Sequence, residues 1–91
     1  MRPFYDEMEK GDRIGIILFQ NDLRDTGGVR EAPDGTVWTE GGHYVTVVGL
    51  KKVGKLYYLY VKDPADEEHI GWFAYKKSME GCIRMMFTGK V

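Results

Sequence analysis

A histidine and a carboxylate stand twenty residues apart, in a segment that is otherwise typical of two β-strands. Residues 43–50 and 56–63 are rich in Val, Leu and Tyr, and a loop with Gly54 in its third place separates them. This pattern predicts a hairpin that pairs His43 with Asp63. Because opposed residues point to the same face, the carboxylate can accept a hydrogen bond from the imidazole and fix its tautomer. The other ring nitrogen is then left to move protons, as a catalytic base does.

The size and charge of the chain exclude several classes of function. Ninety-one residues predict a single small domain, 1–91, and a net charge of −1 gives no basic excess for binding nucleic acid or an acidic lipid surface. No apolar run approaches the roughly 20 residues that span a membrane, so we expect no membrane partner. A single cysteine excludes a disulfide within the chain.

The remaining segments predict an α+β domain, with a mostly antiparallel sheet and a short N-terminal helix. The predicted elements are a helix over 3–10, a strand over 14–19 covered on both faces, a long polar loop over 21–40 with a small hairpin around Asp34-Gly35, an acidic loop over 64–71, one or two helical turns over 72–79, and a last strand over 82–88.

The histidine strand and the strand that follows it carry a recognisable motif. Residues 42–50 read Gly-His-Tyr-Val-Thr-Val-Val-Gly-Leu, and residues 58–64 end in Asp63-Pro64. Together they resemble papain-like cysteine peptidases of the bacteriocin-processing (double-glycine leader) type, which are bacterial hydrolases, and the similarity extends over about residues 8–88. It corresponds to the β-rich C-terminal part of such a catalytic domain. The resemblance implies that His43 is the general base, that Asp63 orients it, and that the substrate is a peptide or protein.

The nucleophile of that family is missing from its usual place. Family members carry a cysteine at the start of a helix upstream of the histidine, and a glutamine just before the cysteine helps to bind the oxyanion. No cysteine precedes His43 here, and none follows Gln20 in that segment. The resemblance thus implies a domain that supplies His43 and Asp63, is inactive alone, and takes its cysteine from a partner segment. The alternative is a non-catalytic binding or assembly module on the same scaffold, whose apolar surface would favour a homodimer or capture of another chain.

The sole cysteine, Cys82, is a second candidate nucleophile. The chain order His, Asp, Cys resembles circularly permuted papain-like folds of the lecithin–retinol acyltransferase type. Such a cysteine should begin a helix, where backbone N–H groups lower the thiol pKa. Glu80 nearby would oppose that effect, and the alternative is a core cysteine in a strand.

Three residues just before the histidine are candidates for a substrate cleft. Gly41 and Gly42 would let a peptide backbone approach closely, and Trp38 could line the cleft beside His43. The alternative for Trp38 is that it caps the hydrophobic core. Tyr44, Tyr58 and Tyr60 alternate with the positions of His43 and Asp63, which predicts that they pack on the other face of the sheet.

A second histidine, His69, follows a run of three acids. Together with His43 and Asp63 it could form the ligand set of a zinc or iron hydrolase. The alternative is an acidic loop that faces water. We expect the acidic loop, with no metal and no other cofactor.

Overall fold

The chain folds as an α+β domain around one antiparallel sheet, as predicted. A computed structural model describes residues 2–11, 13–20, 31–39 and 42–90. The elements in chain order are α1 (Arg2–Met8), β1 (Arg13–Gln20), β2 (Gly42–Val53), β3 (Leu56–Lys62), a 3₁₀ helix (Glu67–His69), β4 (Ile70–Ala74), α2 (Tyr75–Ser78) and β5 (Ile83–Lys90). The strand order is β4-β3-β2-β1-β5, with every neighbouring pair antiparallel. No helix in the described ranges is long and apolar enough to cross a membrane.

The hydrophobic core lies on one face of this sheet. The strands contribute fully buried side chains that alternate along each strand, namely Ile17, Phe19, Val45, Val47, Leu59 and Val61. Helix α1 covers one end of this face, where the Phe4 ring packs directly over Gly15. The other end is covered by Trp38 and by Met79, which follows α2.

The opposite face, called the open face below, is apolar but is not covered by the helices or by residues 31–39. Its exposed members are Tyr44, Val48, Ile70, Trp72, Met85 and Phe87, which are 42–54% exposed. Ile14, Ile16 and Leu18 of β1 also point to this face, by alternation with buried Ile17, and are only partly buried. The prediction that β1 is covered on both faces is therefore wrong. The tyrosines predicted to pack on this face lie there, but Tyr44 is more than half exposed.

The turn of the central hairpin is one residue shorter than predicted. Val53 pairs with Leu56, so the loop contains only Gly54 and Lys55. Gly54 has a φ of 62°. A glycine in the first place of a two-residue loop is the arrangement of a type II′ turn, whose twist matches that of the strands. The predicted ladder pairing of His43 with Asp63 is consequently wrong.

A β-bulge at Val48 sets which residues of β2 face the core. Val47 pairs with Val61 and Gly49 pairs with Tyr60, so Val48 is an extra residue in the ladder. If side chains alternated regularly through this extra residue, those in the first half of β2 would point to the opposite face of the sheet. Because the bulge absorbs it, Val47 remains inside, and residues that alternate with Val47 towards the start of β2 share its face.

The segment after β3 differs from the prediction. Residues 70–74, placed across the predicted acidic loop and helix, form the edge strand β4, which pairs with Tyr58–Lys62. Of the helical turns predicted over 72–79, the structure has the single turn Tyr75–Ser78. The backbone groups along the edge of β3 provide partners for an extended segment, and this tertiary pairing outweighs a weak local preference for helix.

The small hairpin predicted around Asp34-Gly35 is present as a single bridge between Glu31 and Val37. Its turn closes with a hydrogen bond from Gly35 N to Ala32 O at 2.8 Å, with Pro33 as the second residue. The rest of the predicted loop, 21–30 and residue 40, lies outside the described residues.

Candidate functional site

The side chains of His43 and Asp63 are in direct contact, as the hairpin predicted. Nε2 of His43 lies 2.6 Å from Oδ1 of Asp63. His43 is the second residue of β2 and pairs with Phe19 of β1, whereas Asp63 directly follows the last residue of β3. The two residues thus meet diagonally across the end of the hairpin rather than as a ladder pair. The His43 side chain is 22% exposed, so solvent reaches part of the ring.

The Asp63 carboxylate is buried and has several hydrogen-bond donors. Its side chain is 1% exposed. Besides His43, the backbone N–H of Ala65 donates to Oδ1 at 2.9 Å. Nδ1 of His69 lies 3.3 Å from Oδ2. Both carboxylate oxygens therefore have partners, as a buried charge requires.

These donors determine the charge of the site at neutral pH. Burial raises the pKa of Asp63, but the hydrogen bonds from Ala65, His43 and His69 together outweigh burial and hold that pKa below its ordinary value. Asp63 is therefore a carboxylate, which can only accept hydrogen bonds. It follows that Nε2 of His43 carries a hydrogen and donates a hydrogen bond to Oδ1 of Asp63. Nδ1 is then the nitrogen of neutral His43 with a lone pair, and can act as a base.

His69 belongs to this site, although the sequence suggested it only as a metal ligand. It ends the 3₁₀ helix Glu67–His69, whose first N–H groups are capped by Asp66 through a 2.9 Å hydrogen bond from Glu68 N. An aspartate that caps a short helical turn is a signal that sequence can show. Among the described residues, no group of three or more His, Cys, Asp or Glu side chains is arranged to hold a metal ion.

Trp38 lies in the core next to this site, in agreement with the capping alternative rather than with an open cleft. It is 4% exposed, and its ring stacks on Phe19 at 4.5 Å between centroids. The Trp38 ring also contacts the His69 ring, at 4.4 Å between centroids. Its indole N–H donates to Ser78 O at 2.6 Å, which fixes the ring. Of the other two predicted cleft residues, Gly42 is exposed at the start of β2 and Gly41 lies outside the described residues.

Cys82 has the environment of a core cysteine. It is 2% exposed and directly precedes strand β5, so the helix that the permuted arrangement requires does not begin there. Burial raises the pKa of the Cys82 thiol, and the carboxylate of Asp34 raises it further. Both effects oppose formation of the thiolate, which is the reactive form.

A cavity opens on the other side of the sheet from His43. It has a volume of about 800 Å³, and its lining includes Thr46, Val48 and Ile70 of the open face and the loop 63–67. Thr46 and Val48 point away from the face that His43 shares with Val45 and Val47. This cavity is therefore not a cleft beside the His43 ring.

Comparisons with known proteins identify no relative of this chain. No protein-family model matches the chain, and neither a curated protein nor a solved structure does.

Proposed function

We propose that this chain is a cysteine-peptidase-like domain that supplies a histidine base and its orienting aspartate, with the nucleophilic cysteine provided by another segment or chain. The observation that carries the proposal is the 2.6 Å contact between His43 and the buried carboxylate of Asp63. It supports the proposal because a catalytic histidine needs one nitrogen held and the other available. The motif around the two residues supplies the reaction class.

The chemistry of such a site is acyl transfer through a thiolate. Nδ1 of His43 takes the proton of the incoming thiol, and the sulfur attacks the peptide carbonyl carbon. The imidazolium then gives that proton to the leaving amine. Asp63 stabilises the imidazolium and holds the ring in one orientation throughout. Water attacks the resulting thioester, and the same nitrogen takes its proton and returns it to the sulfur.

The burial of Cys82 supports an external nucleophile. A thiol that is 2% exposed and whose pKa is raised by burial has neither the access nor the charge that attack requires. The His43 side chain is 22% exposed, which supports access of a partner to part of the ring.

Peptide hydrolysis tests this proposal directly. We expect the purified chain alone to leave a fluorogenic peptide library uncleaved. Together with the polypeptide encoded immediately upstream of it, the chain should cleave peptides, and a thiol-alkylating reagent should abolish turnover. His43→Ala should reduce turnover by at least about 10³-fold. Lys52→Ala, an exposed change in the far half of β2, is the matched control and should leave it unchanged.

Two outcomes would contradict the proposal. One is turnover that survives His43→Ala. The other is the lack of any turnover with the upstream polypeptide present. Turnover by the chain alone that is lost in Cys82→Ala would instead identify Cys82 as the nucleophile.

A second candidate function is a non-catalytic assembly module that forms a homodimer, and the open face favours it. One row of paired residues, Ile70, Lys62, Thr46, Ile16 and Phe87, crosses all five strands of this face. The six exposed side chains present on the order of 600 Å² if a large side chain has ~150–250 Å², which approaches the ~800 Å² per partner of a stable interface. An apolar face is complementary to itself, so a second copy related by a two-fold axis fits it.

Sedimentation velocity over a concentration series tests the homodimer. The wild-type chain should shift from monomer to dimer, and Val48→Lys, which places a charge in the open face, should remain monomeric. Val53→Lys is the matched control, because Val53 is equally apolar and 56% exposed but lies at the end of the hairpin. A wild-type chain that stays monomeric up to about 1 mM excludes a dimer of any useful affinity.

A further inference from the structure

One carboxylate lies between two imidazole rings. Oδ1 of Asp63 is 2.6 Å from Nε2 of His43, and Oδ2 is 3.3 Å from Nδ1 of His69. The Asp63 side chain is 1% exposed and that of His69 is 14% exposed, so water has little access to the contact between them. Each oxygen of the carboxylate therefore meets a different ring.

The orientation of His69 is set by contacts on several sides. The backbone N–H of His69 donates to Asp66 O at 3.1 Å, which closes the 3₁₀ turn. The ring lies against Trp38 at 4.4 Å and meets the edge of Phe73 at 6.1 Å between centroids. Nδ1 is also 3.5 Å from Oδ2 of Asp66. Nδ1 is thus directed at two carboxylates.

Because both acids near Nδ1 are acceptors, the hydrogen of neutral His69 belongs on that nitrogen. Asp63 is ionised at neutral pH, and a carboxylate has no hydrogen to donate. A hydrogen bond from Nδ1 to Oδ2 restrains rotation of the Asp63 carboxylate about its terminal bond. That restraint keeps Oδ1 directed at His43.

We propose that His69 is a positioning residue for the His43 base, acting through Asp63. It holds the carboxylate in the one orientation in which Oδ1 accepts the Nε2 proton of His43 and Oδ2 has its own donor. The catalytic meaning of this role rests on the proposed function, whereas the hydrogen-bond arrangement does not. Loss of the His69 side chain removes this hydrogen bond to Oδ2, so the carboxylate turns more easily about its terminal bond.

Proton NMR of the isolated chain at neutral pH tests the arrangement without any activity. The Nε2 proton of His43, held by Asp63, should give a protected resonance that long-range ¹H–¹⁵N correlation assigns to Nε2. In His69→Phe, which keeps an aromatic ring against Trp38 but removes the donor, this proton should exchange with water about fivefold faster. His69→Gln, whose amide can donate, should recover part of the protection and also serves if the Phe variant does not fold.

Trp38→Phe is the control for a purely structural effect, because it alters the packing behind His69 but leaves the donor in place. We expect its His43 proton to keep the protection of the wild type. Unchanged exchange in both His69 variants would overturn the proposal, and so would equal acceleration in Trp38→Phe and His69→Phe. In a reconstituted peptidase, His69→Phe should lower kcat with KM unchanged. If no peptidase activity is found, the NMR result still decides the role of His69.

Discussion

Asp63 contacts His43 although the two residues are two positions out of register. Continuing the pairing of Thr46 with Lys62 by one step places Val45 opposite Asp63, and His43 lies two residues further along β2. Residues two apart on a strand share a face, so the side chains can meet across the diagonal. Because Val48 is an extra residue in β2, a bulge must absorb it for His43 to stay on the core face with Val45 and Val47.

Single-residue deletions in β2 test the role of this bulge. Deleting Val48 removes only the extra residue, so the remaining pairs keep their faces. We expect a folded chain that retains the His43–Asp63 hydrogen bond and loses at most about 1 kcal/mol of stability. Deleting Tyr44 instead moves His43 into the Tyr44 position on the open face, and the hydrogen bond should be lost. The His43 Nε2 proton in NMR spectra distinguishes the two variants, and loss of its protection in the Val48 deletion would contradict this account.

The lowered pKa of Asp63 predicts a contribution to acid stability. A carboxyl group with a lower pKa in the folded state stabilises the fold above its unfolded pKa of about 3.9. That stability is lost as the pH falls through the lower, folded pKa. Asp63→Asn removes this titration and should cost about 1–3 kcal/mol at pH 7, because a charged hydrogen-bond acceptor is lost.

Urea unfolding at several pH values measures this contribution. Between about pH 4 and pH 2, the wild-type free energy of unfolding should fall more steeply than that of Asp63→Asn. The difference between the two slopes isolates Asp63 from Asp34, whose pKa is also lowered, by hydrogen bonds from Ser78 and Thr36. Lys52→Ala, an exposed change that leaves every carboxyl group in place, is the control and should keep the wild-type slope. Parallel slopes for wild type and Asp63→Asn would show that Asp63 contributes nothing.

The fold and the His43–Asp63 contact could be predicted because they depend on short-range patterns. Alternating Val, Leu and Tyr residues on both sides of Gly54 define a hairpin whether its loop has two residues or three. The exact register could not be predicted, since both loops place Gly54 at a positive φ. The bulge at Val48 could not be predicted either, because residues 47–49, Val-Val-Gly, are as typical of a regular strand as the residues before them.

The role of His69 and the strand β4 were missed for a different reason. His69 reaches Asp63 because the 3₁₀ helix after Asp66 turns the chain back, and Trp38, distant in sequence, holds the ring. Residues 70–74 are too few to show a clear period, and their Trp, Phe and Ala residues suit a strand or a helix. Pairing with β3 decides between them, and that partner is visible only in the folded chain.

The contact between Phe4 and Gly15 predicts that a side chain at this glycine destabilises the fold. A Cβ on Gly15 would lie 2.5 Å from Cζ of Phe4 and 3.1 Å from Cβ of Val47. Gly15→Ala must therefore displace the buried Phe4 ring and with it α1, at a cost of about 1–3 kcal/mol. Gly89→Ala in β5 is the matched control, because no atom lies within 4 Å of its Cβ.

Chemical denaturation compares these two variants. In a double-mutant cycle, Phe4→Leu should remove part of the Gly15→Ala penalty, since the shorter side chain leaves space for the new methyl group. Equal stability of Gly15→Ala and Gly89→Ala would mean that Phe4 does not pack on Gly15.

The environment of Cys82 predicts a thiol that reacts only when the structure opens. Burial, reinforced by Asp34, raises its pKa, so little thiolate exists at neutral pH. With 2% exposure, the sulfur also has almost no direct access for a reagent. Alkylation by iodoacetamide at pH 7.5, followed by mass spectrometry, should be at least about 100-fold slower in the native chain than in 8 M urea. The Gly15→Ala variant should react faster than Gly89→Ala, because the less stable fold opens more often. A native rate equal to that of the unfolded thiol would mean that Cys82 is accessible, and a faster native rate would mean that it is also activated, as the permuted arrangement requires.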